Sequence, residues 1–241
     1  MLEIMANMMH SGSIHSFGQF DASIECCITV LNCGSAPVNT ETGLKLVSAV
    51  VKAILVFNED ADFLDNCLKA LCNLAFRECG VQNDNSTPVI DAMLNDQFLL
   101  SRLFEAIAAG STTIIDSALH VILNITAHNT EILLGREGFM KMIGECLNSP
   151  CAEVSLLAAK ILHNISNNAP PRHVIMILKE TNIITKLAQL LENEDSKMLR
   201  QVCWVWTYLL FSLNYYKVCP EQRDDFIRNG ISKIADYHQI R

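Results

Sequence analysis

The chain has 241 residues, of which 50% are hydrophobic and 18% are charged, so it can bury a large core and is not predicted to be disordered. The net charge of −8 argues against a groove for nucleic acid, which needs clustered Lys and Arg. The same charge suits basic or amine-bearing peptide partners. Charged residues such as Lys52 interrupt the longest apolar runs, and we therefore expect no membrane span.

Ten cysteines are present, but no two of them form a C-x-x-C pair. Half of them lie within helical patterns, where Cys behaves as a small apolar residue. The first twenty residues lack the basic and apolar stretches of a secretory leader. The sequence therefore predicts reduced thiols in a protein of the cytoplasm, with the nucleus as a second location.

In chain order, residues 1–21 lack periodicity and are predicted to be a loose lead-in or a degraded capping helix. Over residues 22–241 apolar side chains recur at helical spacing between turns rich in Gly, Pro, Asn and Asp, which predicts one all-α repeat domain. No stretch shows the alternation of a strand. The predicted helices cover 22–33, 44–55, a stretch ending near 76, 89–109 (one or two helices), a stretch after 111, 130–134, 139–147, a stretch after 150, 174–179, 183–191, a stretch ending near 211, and 223–240 (two short helices).

A seven-residue frame recurs five times along the chain. In each copy a small or slim residue stands six positions before the last residue, called the anchor here, and an apolar residue usually stands two before it. The copies are C-C-I-T-V-L-N (26–32), C-L-K-A-L-C-N (67–73), A-L-H-V-I-L-N (118–124), A-A-K-I-L-H-N (158–164) and V-C-W-V-W-T-Y (202–208). Successive anchors lie 40 to 51 residues apart. A period near 40–47 residues with helical patterning is typical of two- or three-helix solenoid repeats.

The frame resembles A-x-W-x-h-x-N of the nuclear-import adaptors in the armadillo family. This resemblance implies an all-α, armadillo-like right-handed superhelical solenoid of about five repeats, in which the third helix of each repeat lines a concave groove. The anchor and the residue four before it share one helix face. An anchor Asn can both donate and accept, so it could clamp an extended peptide backbone. The alternative is that these asparagines only cap or tie neighbouring helices.

The candidate peptide-binding residues are the anchors, the positions four before them, and two further residues of the second frame. They are Asn73, Asn124, Asn164, Tyr208, Lys69, His120, Lys160, Trp204, Cys72 and Phe76. The import adaptors place Trp four before the anchor to stack on lysine stems, and here only Trp204 matches. We therefore do not expect import-adaptor function.

Three segments are similar to the C-terminal armadillo domain of the Zyg-eleven and Zer-one proteins. They are C-L-K-A-L-C-N-L (67–74), E-V-S-L-L-A-A-K-I (153–161) and Q-V-C-W-V-W (201–206), beside the family's C-L-x-A-L-W-N-L, E-V-S-Y-F-A-A-G-I and Q-L-W-A-V-W. Those proteins are substrate receptors of cullin-two RING ubiquitin ligases and bind substrates with an N-terminal glycine. The resemblance implies a non-catalytic substrate-recognition domain for an extended segment or an N-terminal degron, with cullin-two and elongin subunits as further partners.

The family's glycine pocket differs from this sequence in its acids. Where the family has Trp, Asn and Asp on one repeat, this chain has Cys72, Asn73 and Phe76, and where the family has Asn and Glu on the next repeat it has Asn124 and Ala127. An α-ammonium without a carboxylate partner loses a charge-assisted hydrogen bond of about 1.5–3 kcal/mol. We therefore expect a peptide clamp without full amine capture.

Other functions have little support in the sequence. The chain has no phosphate-binding loop, no nucleophile with a nearby base and no metal-ligand spacing, so we expect neither catalysis nor a cofactor nor a metal. A stand-alone armadillo scaffold without any role in ubiquitination remains the alternative to the ligase receptor.

Overall fold

The structure is a computed structural model that describes residues 2–10, 17–33, 38–56, 60–78, 87–167 and 170–216. These residues form α-helices and no strand, which confirms the all-α prediction. The helices are α1 (Leu2–His10), α2 (Phe17–Cys33), α3 (Thr40–Val56), α4 (Ala61–Glu78), α5 (Pro88–Asn95), α6 (Gln97–Ala109), α7 (Thr112–Thr126), α8 (Glu131–Leu134), α9 (Phe139–Leu147), α10 (Ala152–Asn167), α11 (Pro171–Lys179), α12 (Thr181–Leu190) and α13 (Ser196–Tyr216).

Contacts within the chain cluster into two compact units, Met1–His128 and Asn129–Arg241, where the sequence predicts one repeat domain. All five frames lie on helices: α2, α4 and α7 in the first unit, and α10 and α13 in the second. The last three repeats each consist of two shorter helices followed by the frame-bearing helix, as predicted. The first two repeats have only one described helix before the frame.

In the first unit, α4 packs between α2 and α7, while α3 and α5 lie against the remaining side of α4. The core is made of Leu, Ile, Phe and Ala at helical spacing, with Phe63, Leu68, Leu71 and Ile122 fully or almost fully buried. The frame-bearing helices therefore stack on each other side by side. This stacking brings equivalent frame positions close together.

The N-terminal prediction needs a correction. Leu2–His10 is a helix that packs on α3 and α2, and its Ala6 and Met9 are buried. Residues 2–10 are therefore not loose, and the alternative of a capping helix describes them. Ala6 and Met9 stand three residues apart and so share one face of the helix. Such a short apolar pattern is not detected by a search for long periodicity.

Short polar side chains begin several helices of this unit. Asn39, Asp60, Asp96 and Ser111 each accept a hydrogen bond from the backbone N–H three residues later. These bonds satisfy amide groups that lack partners in a first helical turn. Asp96 also divides the predicted 89–109 segment into α5 and α6.

In the second unit, α10 packs on α9 and α13, and α11 and α12 pack on α13. Phe139, Ile161 and Trp206 are fully buried among these helices. Gly138 precedes α9 with a φ of 81°, a left-handed conformation that side-chain-bearing residues rarely adopt. The predicted helices over 223–240 lie outside the described residues.

Candidate peptide-binding surfaces

The first unit contains a cavity of about 200 Å³ bounded by α2, α4 and α7. Three of its lining residues stand four before an anchor in successive frames, and a fourth is itself an anchor. The lining residues are Ile28, Lys69, Cys72, Asn73, Asp116, Ser117 and His120. The structure thus brings Lys69, Cys72, Asn73 and His120 together, four of the ten residues predicted from the sequence.

Below Lys69 lies a buried polar network. The Asp65 carboxylate is buried, and its Oδ1 accepts a hydrogen bond of 2.5 Å from Ser117 Oγ. Its Oδ2 pairs with Lys69 Nζ at 2.6 Å. Both oxygens of the buried acid therefore have partners, as a buried carboxylate requires. The charge of Lys69 is offset by a carboxylate beneath it.

Asp116 and His120 form the α7 side of the cavity. His120 Nδ1 lies 3.0 Å from the backbone oxygen of Asp116 and 3.3 Å from Asp116 Oδ2. Both neighbours are acceptors, so Nδ1 carries a hydrogen. The Asp116 side chain is 41% exposed and the His120 side chain is 42% exposed. They therefore remain accessible to a ligand.

Asn124 connects two helices. Its Nδ2 donates to the backbone oxygen of Cys72 at 3.0 Å and lies 3.3 Å from Cys72 Sγ. The bond connects α7 to α4, so Asn124 ties two helices, which is the alternative that the sequence left open. Asn73 lines the cavity.

Phe76 is 65% exposed on α4 and is not among the residues that line the cavity. Its place in the candidate surface stays a prediction. Ala127, at the C-terminal end of α7, is exposed as well. Neither position supplies a carboxylate, and the acid of this surface comes instead from Asp116.

The second unit carries an aromatic cluster formed by His163, Trp204 and Tyr208. His163 stacks on Trp204 with ring centroids 5.9 Å apart and planes 3° apart, and on Tyr208 at 5.7 Å and 22°. Trp204 and Tyr208 are themselves stacked at 5.9 Å. Gln201 Oε1 lies 3.0 Å from His163 Nδ1 and orients the ring. Trp204 remains 45% exposed, so part of its surface is open to solvent.

Lys160 and Asn164 lie on α10 of the second unit, and both are half-buried. His163, beside this anchor, faces α13. That Asn32, Asn73, Asn124 and Asn164 form one ladder stays a prediction, and the Asn32 side chain lies outside the described residues.

Sequence reasoning missed the carboxylates of the first unit. Asp65 and Asp116 stand eight residues before the anchors of two successive frames, and so just before the frames themselves. A side chain two helical turns before the anchor lies on the same face as the anchor. The recurrence of Asp at this position could therefore have indicated an acidic group on the surface. The comparison with the family considered acids only at Phe76 and Ala127.

No family model matches this sequence, and no curated protein is detectably similar to it. Solved structures do match in three dimensions. A designed armadillo repeat protein in complex with the peptide (KR)4 superposes with a TM-score of 0.67 and 16% identity, covering 97% of this chain and 98% of that chain. The chain has an armadillo-like fold. Computationally designed armadillo repeat proteins for modular peptide recognition give a TM-score of 0.67 at 16% identity, over 98% of this chain and 99% of theirs.

The armadillo-like chain also matches part of a longer chain. Uso1-2 superposes with a TM-score of 0.67 and 11% identity, covering 97% of this chain and 42% of that chain. These identities are low, so the comparisons establish the all-α repeat-solenoid fold. None of the described helices is both long and apolar enough to cross a bilayer.

Proposed function

We propose that this chain is a non-catalytic peptide-binding module whose first unit holds a partner segment against α2, α4 and α7. The observation that carries the proposal is the meeting of Ile28, Lys69, Asn73 and His120 at one cavity. Ile28, Lys69 and His120 occupy equivalent frame positions, four before an anchor, so the surface repeats with the repeat itself. Such regular spacing suits an extended chain, whose side chains also recur at a fixed interval.

The chemistry of the surface agrees with a peptide ligand. Asn73 supplies an amide that can donate to and accept from a peptide backbone, while Ile28 and Cys72 supply apolar contact. The designed armadillo protein that this chain resembles in fold was solved with a peptide, (KR)4. That likeness supports the proposal without identifying the sequence that this chain binds.

A peptide array tests the proposal, with each peptide prepared in a free and an N-terminally acetylated form. We expect hits whose affinity falls at least about fivefold in Asn73→Ala, because a backbone hydrogen bond is lost. Asn95→Ala is the matched control, since Asn95 is an exposed asparagine on α5 that does not line the cavity. Equal losses in both variants, or an array without hits, would refute a peptide-binding role for this surface.

We further propose that the module is a substrate receptor related to the Zyg-eleven and Zer-one proteins and contributes to cullin-two-dependent ubiquitination. The support is the similarity of segments 67–74, 153–161 and 201–206 to segments of that family. The acids of the family's glycine pocket are absent at Phe76 and Ala127, so the recognised degron would differ from an N-terminal glycine.

Affinity purification from cells tests the ligase role separately from peptide binding. Tagged wild-type chain is purified with and without inhibition of cullin neddylation, and cullin-two, elongin B and elongin C are quantified by mass spectrometry. Recovery of these subunits above a tag-only control supports the receptor role. If they are absent while the peptide hits persist, the chain is a stand-alone scaffold, which is the alternative function.

A further inference from the structure

We infer that the cavity between α2, α4 and α7 is a subsite for the carboxamide side chain of a bound peptide, an asparagine or a glutamine. The inference rests on the proposed peptide-binding function and names the chemistry of one side chain that this surface selects. A carboxamide is uncharged, and its end carries an acceptor oxygen together with an NH₂ group that donates.

Each charged group that lines the cavity already has a partner within the protein. Lys69 Nζ pairs with Asp65 Oδ2 at 2.6 Å, and Asp116 Oδ2 lies 3.3 Å from His120 Nδ1. Nδ1 carries a hydrogen toward Asp116 whether or not the ring also carries one on Nε2. No full charge on a guest is therefore needed to offset a lone charge of the lining.

Lys69 and Asp116 nevertheless keep hydrogen-bonding capacity. An ammonium has three N–H donors, and the pair with Asp65 Oδ2 uses one of those on Lys69. A carboxylate accepts at both oxygens, and His120 Nδ1 lies near only one oxygen of Asp116. The Lys69 side chain is 48% exposed and that of Asp116 is 41% exposed, so a guest can reach both.

The spare donor and the spare acceptor stand on neighbouring helices, Lys69 on α4 and Asp116 on α7. Ser117, next to Asp116, donates to Asp65, and the other oxygen of Asp65 pairs with Lys69. Among the described residues no ion pair joins Lys69 to Asp116 directly. A carboxamide can bridge the two groups, because its oxygen accepts from Lys69 Nζ while its NH₂ donates to the Asp116 carboxylate. Both bonds are charge-assisted and therefore stronger than bonds between neutral groups.

The remaining wall suits the short stem of Asn or Gln. Ile28 on α2 and Cys72 on α4 line the cavity beside the polar groups. They offer contact to the methylene groups that connect a carboxamide to the peptide backbone. A cavity of about 200 Å³ is large enough for one such side chain and too small for a folded element.

Other guests match this lining less well. A cationic side chain would approach Asp116 but also the like charge of Lys69, and an anionic one would meet the reverse. An apolar side chain would cover both groups without a hydrogen bond, which costs free energy. A backbone amide directs its N–H and C=O to opposite sides of a trans peptide, whereas a carboxamide presents donor and acceptor at one end.

The experiment uses Cys72, which lines the cavity, as an attachment point for small probes. The full chain is equilibrated at about 150 mM salt, under mildly reducing conditions, with equal concentrations of four small disulfides. They are made from 3-sulfanylpropanamide, 3-sulfanylpropanoic acid, 3-aminopropane-1-thiol and 3-methylbutane-1-thiol, which end in a carboxamide, a carboxylate, an ammonium and an isosteric apolar group. Peptide mapping by mass spectrometry measures each adduct at Cys72 and, as the reference, at Cys151 of the second unit.

We expect the carboxamide adduct at Cys72, relative to its share at Cys151, to exceed each of the other adducts by at least about fivefold. Asp116→Ala should reduce this preference to about twofold or less, because the NH₂ group loses its acceptor. Asp91→Ala is the matched control, since Asp91 is exposed on α5 and does not line the cavity, and it should keep the preference. Melting temperatures of both variants confirm that they fold.

The peptide array links this preference to peptide binding. In peptides that bind, replacing the responsible Gln by Glu, or Asn by Asp, should lower the affinity at least about fivefold although the shape of the side chain is kept.

Three outcomes overturn the inference. If the adducts have the same proportions at Cys72 and Cys151, or if Asp116→Ala keeps the full preference, the cavity does not select a carboxamide, while array binding that depends on Asn73 still supports the proposed function. If the ammonium adduct is enriched instead, the subsite takes a cation. If the array yields no peptide, the proposed function fails, and the inference about a bound peptide fails with it even where the carboxamide adduct is enriched.

Discussion

Asn124 Nδ2 donates to the backbone oxygen of Cys72 at 3.0 Å, across 52 residues of sequence, and so joins α7 to α4. Two frame-bearing helices of successive repeats are thereby connected by an anchor side chain. The same amide lies 3.3 Å from Cys72 Sγ. This anchor of the repeat therefore stabilises the stacking of the helices.

Replacing Asn124 with Ala should destabilise the first unit. The substitution removes a part-buried hydrogen bond, and we expect the free energy of unfolding to fall by about 1 kcal/mol. Urea unfolding followed by circular dichroism measures the change. Asn95→Ala, on the exposed end of α5, is the control, and a loss no larger than the control's would show that the bond contributes nothing.

The hydrogen bond between Asp65 and Ser117 should contribute more to the free energy of unfolding than the bond between Asn124 and Cys72. Asp65→Ala leaves a buried hydroxyl and Lys69 without their carboxylate, so we expect a loss of about 2 kcal/mol. Ser117→Ala should cost about 1 kcal/mol. The double variant should cost less than the sum, because both single changes break the same bond. Asp62→Ala, an exposed acid in the first turn of α4, provides the control. Strict additivity in the double-mutant cycle would contradict a direct interaction.

Buried thiols should make the protein less stable at alkaline pH. Burial, and secondarily the neighbouring Cys26, raises the pKa of the Cys27 thiol to about 12 from an ordinary 9.0. Burial also raises the pKa of Cys146, to about 11, with Glu145 as the smaller cause. A raised folded-state pKa means that the stabilising contribution is complete below pH 9.0 and is lost as the pH rises toward the folded-state value, since the unfolded chain ionises first.

We therefore expect the free energy of unfolding to fall by about 1 kcal/mol for each such thiol between about pH 8 and about pH 10. Cys27→Ala should show a smaller fall over this interval than wild type, whatever its stability at neutral pH. Denaturant titrations at several pH values give the slopes. Parallel slopes for variant and wild type would mean that Cys27 ionises equally in both states.

The two tryptophans should report different environments. Trp206 is fully buried, whereas Trp204 is 45% exposed beside His163 and Tyr208. In Trp206→Phe the remaining indole should be quenched by acrylamide several-fold more strongly than in Trp204→Phe, and its emission should lie at longer wavelength. Stern–Volmer plots of the two variants measure this. Similar quenching constants would place Trp204 in the core. A peptide that binds the second unit should also shift the emission of Trp204.

The helical fold was predictable because its signals are local or periodic. The five frames lie where the sequence predicts helices, and the break at Asp96 follows from a polar side chain that caps α6. The helix over Leu2–His10 was less predictable. Only its packing on α3 gives Ala6 and Met9 a buried face, and a nine-residue helix has little stability by itself.

The cavity was predictable in part. Lys69, Cys72, Asn73 and His120 were identified from the frame, because positions four apart on a helix share a face. Asp116 and Ser117 were not identified, because they stand just before the frame, whose first position is Ala118. Their role depends on α4 and α2 facing them, and no pattern within α7 reveals which helix packs opposite.

By itself the sequence determined that this chain is helical, that it repeats every 40 to 51 residues, and that equivalent polar residues recur at equivalent positions. Only the tertiary structure decided which of these residues face a cavity and which bind a neighbouring helix. The physical reason is that a hydrogen bond such as Asn124 to Cys72 depends on the distance and angle between two packed helices, whereas periodicity depends on each helix alone.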